Sequence, residues 1–377
     1  MTAPQQLSLF DDEPDDGQLA LFPPDSLPRF PTGAPPDTAV LRDSAIAPLV
    51  AAPAFDRLRR IGFLGAIDYV FHPQRWDGWQ RYSRYEHSLA VADLADRFAR
   101  RRGVEREERR TLVAAALLHD LGHGPLSHSS ERAFADLFGI DHHRRTEELV
   151  RDRSGPGSIG RLLDESRLSA DEVIRLLSGR SNAPAADLFD SPLNVDTLDG
   201  IWRARRYACR QILGHPRVTV ERLADEAPGR WQTTFDRFWQ DKEAVYRHVV
   251  GGRIGAMAVD LVDSYVRENA SDLTAAEFER DDIGFLRSHP RLARALRNMR
   301  RDLREALKAG ARLEPEPSLR LRRRSYRIDG EVFIETTSDL YKRYQRGMTA
   351  EIISAPLGVR LARSRQPAAL LEVSIAT

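Results

Sequence analysis

Apolar positions recur at helical spacing through most of the middle of the chain. In PAFDRLRRIGFLGAIDYVF, Phe55, Leu58, Ile61 and Leu64 fall three apart and predict one buried helical face. HPQRWDGWQRY, residues 72–82, carries no such period and is expected to be a loop. A helix is expected from about Arg84 to Arg101 with Leu89, Ala90, Val91, Leu94 and Phe98 facing inward, and another over Glu107 to His119. Gly122, Gly124 and Pro125 then predict a tight corner. Shorter helices are expected at 129–138, 143–151, 158–164 and 170–178. Longer ones follow at 194–214, at 231–268 with a kink at Gly251 and Gly252, and at 289–308.

The pattern changes after Pro317. SLRLRRRSYRIDGEVFIETT alternates apolar and polar positions around Asp329-Gly330, a hairpin signal, and EIISAPLGVRLAR and ALLEVSI also read as strands. The expected fold is therefore mainly α, a helical body with a small β-containing C-terminal part. Residues 1–40 hold Pro, Asp and Gly with little periodicity and read as a flexible acidic tail. The catalytic body is expected over 41–268. A C-terminal region, helical and then β-rich, is expected over 269–377.

Composition narrows the class. The chain has 377 residues, 30% charged and 41% hydrophobic, which is ordinary for a globular protein. The single Cys209 rules out an internal disulfide and a cysteine-based metal cluster. No run approaches the length of a membrane span, and the N-terminus lacks a basic region followed by an apolar core, so a cytoplasmic location is expected. Net charge is only +1, but residues 287–327 hold fourteen Arg or Lys against four Asp or Glu. Arg291, Arg294, Arg297, Arg301 and Arg304 make a stripe that could follow a phosphate backbone, so DNA is a candidate partner; the stripe could equally be an ordinary solvated face or an allosteric nucleotide site at a subunit interface.

The chemistry concentrates in LLHDLGHGPLSHSSE, residues 117–131. His119 and Asp120 end a helix side by side, and both can contact one ion beside the helix end. Imidazole nitrogen with carboxylate oxygen suits Mn, Fe, Mg or Zn. A mononuclear site needs further ligands. His87, on the preceding long helix and three residues after Arg84, is the natural third, and Asp196 in LNVDTLDG is the best fourth. Taken alone, His87 could be a core histidine and Asp196 a helix cap.

YEHSLAVADLA, LLHDLGHGPLSHSSE and NVDTLD together resemble the HD-domain superfamily of metal-dependent phosphohydrolases, and FDRLRRIGFLGAIDYVF resembles the FQRLR-x-I-x-QLG opening of its deoxynucleoside-triphosphate triphosphohydrolase branch. The likeness covers roughly residues 41–265. It implies His87, His119, Asp120 and Asp196 as ligands of one divalent ion, and Arg84 as a phosphate clamp. It implies His123 and His128 on the phosphate side of the pocket, with His143 protonating the leaving oxygen and His142 as the alternative to His143. It implies hydrolysis of a nucleotide phosphate ester, foremost a dNTP to deoxynucleoside and tripolyphosphate, and a homo-oligomer. The alternatives are a DNA end-processing nuclease or a nucleoside monophosphate phosphatase using the same metal site.

The likeness thins around the sugar. Asp56 stands where the branch has a glutamine that reads the 3′-hydroxyl. Thr197 replaces a lysine, Gly200 a sugar-stacking tyrosine and Ala204 an aspartate, while Asp199 is retained. In DKEAVYRHV, Tyr246 and His248 are kept, Lys242 stands in a histidine's place and Arg247 in a glutamine's. Asp56, Asp199, Lys242, Tyr246 and Arg247 are thus the expected substrate contacts. In the tail, QLSLF (Gln6, Leu7, Leu9, Phe10) and QLALF (Gln18, Leu19, Leu21, Phe22) resemble the motif by which bacterial proteins bind the replication sliding clamp, which makes that clamp a candidate partner.

Overall fold

The computed structural model describes residues 39–70, 81–190, 193–208, 214–225, 232–250, 253–308, 322–324, 352–354, 358–361 and 371–374. The clamp-like pentapeptides, the 72–80 loop, Asp329-Gly330 and Gly251-Gly252 lie outside them. The body is a stack of helices: α1 (Ala47–Ala51), α2 (Pro53–Asp56), α3 (Ile67–Val70), α4 (Arg84–Arg101), α5 (Arg106–Leu118), α6 (His128–Phe138), α7 (His142–Arg151), α8 (Ile159–Glu165), α9 (Ala170–Leu177), α10 (Asp187–Asp190), α11 (Val195–Ala208), α12 (Pro216–Ala224), α13 (Gln232–Val245), α14 (Arg253–Glu268), α15 (Asp282–Ser288) and α16 (Pro290–Lys308).

The helix α4 is the spine. Its start is set by Ser83, whose hydroxyl takes the Glu86 amide while Glu86 answers the Ser83 amide, a reciprocal capping box. One face of α4 buries Tyr85, Leu89 and Ala92 against Phe55, Leu58, Ile61 and the alanine-rich α5. The other buries Val91, Leu94, Ala95 and Phe98 against α11, α12 and α13. Each fully buried Leu, Val or Phe here contributes roughly 1.5–3 kcal/mol. A third cluster joins α3, α6, α14, α15 and α16 around Phe134, Met257, Phe278 and Phe285. The functional residues sit where the three clusters meet. Between α13 and α14 the expected long helix is interrupted by a π-helical turn, Tyr246–Val250, a local bulge that re-aims side chains.

The expected β-containing C-terminal part is corrected by the structure. Beyond Lys308 the described residues hold only extended stretches of three or four residues. Arg322–Arg324 lies antiparallel to Ile352–Ser354, and Gly358–Leu361 to Leu371–Ser374. Among the described residues neither ladder gains a third strand. Paired stretches of three or four residues do not amount to a sheet layer. Local alternation in the sequence signals extended backbone, but not enough apolar positions to build a layer. The described body is helical.

On α16, Leu292, Ala293, Ala295, Leu296 and Met299 are buried, and Arg291, Arg294 and Arg301 lie on the exposed side. Among the described residues no helix is long and apolar enough to cross a membrane.

Candidate metal centre

His87 projects from the first turns of α4 and is fully buried. Its Nδ1–H donates to Asp199 Oδ2 at 2.7 Å, which leaves the Nε2 lone pair facing the site. Asp199 is itself held by Arg203 at 2.5 Å, and Arg203 donates to the Glu86 carbonyl. His119 follows the last residue of α5. Its Nδ1–H donates to the Ala116 carbonyl at 2.9 Å, so its Nε2 is also bare. Asn194 caps α11 by accepting the Thr197 amide, which frees Asp196 from a capping role and turns it to the site.

Four acceptor groups therefore converge. His87 Nε2 lies 3.0 Å from Asp196 Oδ1, 3.2 Å from His119 Nε2 and 3.5 Å from Asp120 Oδ2. His119 Nε2 lies 3.4 Å from Asp120 Oδ1 and 3.7 Å from Asp196 Oδ1. Bare imidazole nitrogens and carboxylate oxygens at these separations repel unless positive charge lies among them. Ligands about 2.1 Å from one ion are about 3.0 Å apart in octahedral and about 3.4 Å apart in tetrahedral coordination. The edges among His87, His119 and Asp196 run from 3.0 to 3.7 Å, close to that range, and Asp120 adjoins both histidines at 3.4–3.5 Å, so the residues fit one divalent cation. The same need for positive charge shows in His119: burial would lower its pKa, yet the Asp120 and Asp196 carboxylates raise it to about 9. Each histidine is oriented through its other nitrogen, as metal-binding imidazoles usually are. Asp196 is exposed and leaves the centre open to solvent.

A second cluster adjoins the first. Arg84 NH1 donates to Asp120 Oδ2 at 2.7 Å and Arg84 Nε to Ser127 Oγ at 3.0 Å. Both partners are buried, so the guanidinium is fixed beside the centre. His123 is fully buried 3.2 Å from Asp120 Oδ1, without hydrogen-bonding geometry at either ring nitrogen. Burial, with the Arg84 charge beside it, pushes its pKa well below the usual imidazole range. The His123 ring stacks on His142 at 4.2 Å and meets His128 edge-on at 4.6 Å. Glu131, one turn beyond His128 on α6, accepts from His128 Nδ1 at 2.7 Å and from His142 Nδ1. Burial would raise the Glu131 pKa, but the two imidazoles hold it well below the carboxylate range.

Three expected site residues take other places. His143 is exposed and touches the cluster only by packing on the His142 ring at 3.9 Å; His142, the alternative, is the one tied to Glu131. The helix phase decides this, since neighbouring residues on α7 point about 100° apart. Asp56 turns outward at the end of α2 to pair with Arg59 and Arg60. Asp199 is buried behind His87, where it orients the imidazole. Lys242, on α13, is buried with its Nζ 5.2 Å from the Trp239 ring; burial lowers its pKa to about 8, against the pull of Asp196. Tyr246 opens the π turn and packs on the cluster shared by α4, α11, α12 and α13. The Arg247 side chain lies outside the described residues.

Sequence reasoning missed Phe63, Glu131 and Arg203. Phe63 packs on His87 at 4.7 Å and under Arg84 at 5.0 Å, in the space opened by Gly200, whose absent Cβ would lie 3.4 Å from it. Nothing local in the sequence marks Phe63. Glu131 was findable, because three residues after His128 on a helix is the same face.

Residues 84–188 match the HD domain family. An HD domain with clustered metal-ligating residues supports a metal-dependent hydrolase. The chain is 31% identical over 172 residues to the uncharacterized protein YwfO of Bacillus subtilis, covering 44% of this chain and 37% of that protein. It is 41% identical over 86 residues to a deoxyguanosinetriphosphate triphosphohydrolase-like protein of Bradyrhizobium, covering 22% and 20%. It is 38% identical over 96 residues to the deoxynucleoside triphosphate triphosphohydrolase SAMHD1 of Bos taurus, covering 24% and 15%. The chain spans well under half the length of these curated relatives.

Proposed function

We propose that this chain is a metal-dependent phosphohydrolase that cleaves the phosphate ester of (deoxy)nucleotides, foremost dNTPs to deoxynucleoside and tripolyphosphate. The observation that carries the reading is the pairing of the two clusters: His87, His119 and Asp196 gathered with Asp120 3.4–3.5 Å from both histidines, and joined through Asp120 to Arg84 and the histidines held by Glu131. The nucleotide preference is supported by similarity to the triphosphohydrolases named above.

His87, His119, Asp120 and Asp196 would hold the ion, which when bound supplies charge to polarise a phosphate oxygen and acidify a water. Arg84, immobilised by Asp120 and Ser127, offers guanidinium N–H donors to phosphate oxygens. Glu131 holds the Nδ1–H of both His128 and His142, so each Nε2 is free to accept or return a proton. One imidazole would take the proton of the attacking water, and the other would give a proton to the departing nucleoside oxygen. His123 stays neutral between them. Lys242 can meet further phosphate charge. Water attacks phosphorus, the bond to the nucleoside oxygen breaks, and the phosphate chain leaves whole.

The test is product identity. Purified protein with Mn²⁺ is given each dNTP, the mono- and diphosphates, rNTPs and single-stranded DNA ends, with Asp120→Ala beside it. Deoxynucleoside plus tripolyphosphate, absent from the variant, is the expected result. Release of mononucleotides from DNA alone would replace this reading with a nuclease.

A further inference from the structure

We infer that Asp282 is a positioning residue for this site: a buried carboxylate from beyond the HD-matching stretch that fixes the Leu126–Ser127 corner and, through Ser127, the orientation of Arg84. Its kinetic readout rests on the phosphohydrolase reading; its structural readout does not.

The geometry is a closed set of bonds. Asp282 is fully buried at the start of α15. Its Oδ1 accepts the Leu126 amide at 2.7 Å. Its Oδ2 accepts the Gly62 amide and the Tyr69 hydroxyl, both at 2.9 Å. Three donors from two distant segments, 62–69 and the Leu126 corner, thus converge on one side chain. Only a carboxylate offers this many acceptor positions with no donor to clash. Gly62 is then held at its other end, because Ser127 Oγ donates to the Gly62 carbonyl at 2.6 Å. That same Oγ accepts from Arg84 Nε, and Arg84 reaches Asp120.

The corner needs holding. Leu126 and Ser127 both have positive φ, 59° and 49°, which side-chain-bearing residues rarely adopt. Such backbone persists where its surroundings over-determine it, and it gathers at functional sites. The chain just before Asp282 adds to the clasp. Phe278 lies against Gly124, so closely that a Cβ there would meet the ring at 2.6 Å. Arg57 bridges the two segments, donating to the carbonyls of Arg280 and His123. Segment 278–282 therefore grips segment 121–127 from outside the stretch that supplies the histidines.

The experiment uses the full chain and Asp282→Asn, which keeps the shape but replaces one acceptor oxygen with a donor. Amide exchange at Gly62 and at 126–127 is expected to quicken on the order of tenfold or more, with the α5 core unchanged. Mn²⁺ affinity should change less than kcat, since His87 and His119 keep their own anchors and only Asp120 meets Arg84. With nucleotide, kcat should fall on the order of ten- to a hundredfold. Ser127→Ala should cause a similar fall, and the double variant should be little worse than either, because both act through one path. Tyr69→Phe removes a single donor, leaves the carboxylate, and gives the milder version should Asp282→Asn not fold. Unchanged exchange at the corner, or losses from the two substitutions that multiply, would overturn the inference. A wild-type protein that hydrolyses no nucleotide would sink the phosphohydrolase reading, and the exchange pattern alone would then decide this one.

Discussion

Replacing Asp199 with asparagine separates two roles for one residue. Its place in the sequence suggests a substrate contact. Its place in the structure, buried with Oδ2 2.7 Å from His87 Nδ1 and held by Arg203, makes it the group that keeps the His87 lone pair aimed at the metal centre. Asparagine can still accept the Nδ1–H if its oxygen faces His87, but it loses the negative charge that strengthens the imidazole as a ligand. Its amide must then also avoid the Arg203 guanidinium. Losing such a partner behind a metal-binding histidine typically costs 10–100-fold in metal affinity, about 1.4–2.7 kcal/mol. The Arg203 charge keeps the Glu86 carbonyl and the Tyr82 ring but loses its carboxylate, so stability should fall by roughly 1–3 kcal/mol as well. Calorimetric titration with Mn²⁺ at constant pH reads the first effect, and thermal unfolding of the chelated protein reads the second. Mn²⁺ affinity equal to wild type together with a raised nucleotide KM would refute the reasoning and return Asp199 to the substrate.

The remaining predictions concern proton handling, packing and pH. Glu131→Gln should lower kcat by about 10²–10⁴-fold with little change in Mn²⁺ affinity, and His142→Ala should far exceed His143→Ala, both read by steady-state kinetics. Gly122→Ala would drive a methyl into the backbone of α7 at His142 and Thr146, so the urea midpoint should fall by an amount equivalent to about 1–3 kcal/mol or more. Asp68 is buried, takes only the Leu64 amide, and has its pKa raised by burial to about 7 from 3.8. The folded state therefore binds the extra proton between those values, and wild-type stability falls as pH rises through them. Asp68→Asn lacks that slope and should gain on wild type by up to roughly 1.4 kcal/mol per pH unit across the window, measured by urea melts from pH 4 to 8. Parallel curves would count against a protonated Asp68.

Helices were legible because each carried its own period and its own boundary chemistry. Arg84–Arg101 could be bounded from sequence since Ser83 and Glu86 mark its start and apolar residues recur to Phe98. The interruption at Tyr246–Val250 was not, because a π turn spends one extra residue without any composition of its own; Gly251 and Gly252 suggested only a kink nearby. The C-terminal strands were over-read for the reason that period-two alternation reports backbone extension, while a layer also needs partners that local sequence does not name.

For the site, what was legible was whatever chemistry demands of residue type. Two histidines and two aspartates spread over three helices could be picked because few other side chains ligate a divalent ion. Their supports were harder to see. Asp199 and Glu131 are both carboxylates one helical turn from a site residue, so spacing placed them near the chemistry but could not say which atom they would touch. His142 and His143 differ only by helix phase, which the corner at Gly122 fixes through the contact of Thr146 Oγ1 with the Gly122 amide. Phe63 and Asp282 come to the site from stretches far apart in the chain, and no motif of fixed spacing spans such a distance. These long-range residues are where the structure adds most: the ligands state that an ion can bind, while the clasp of Asp282 on Leu126 and Gly62 states why Arg84 stands where a phosphate would need it.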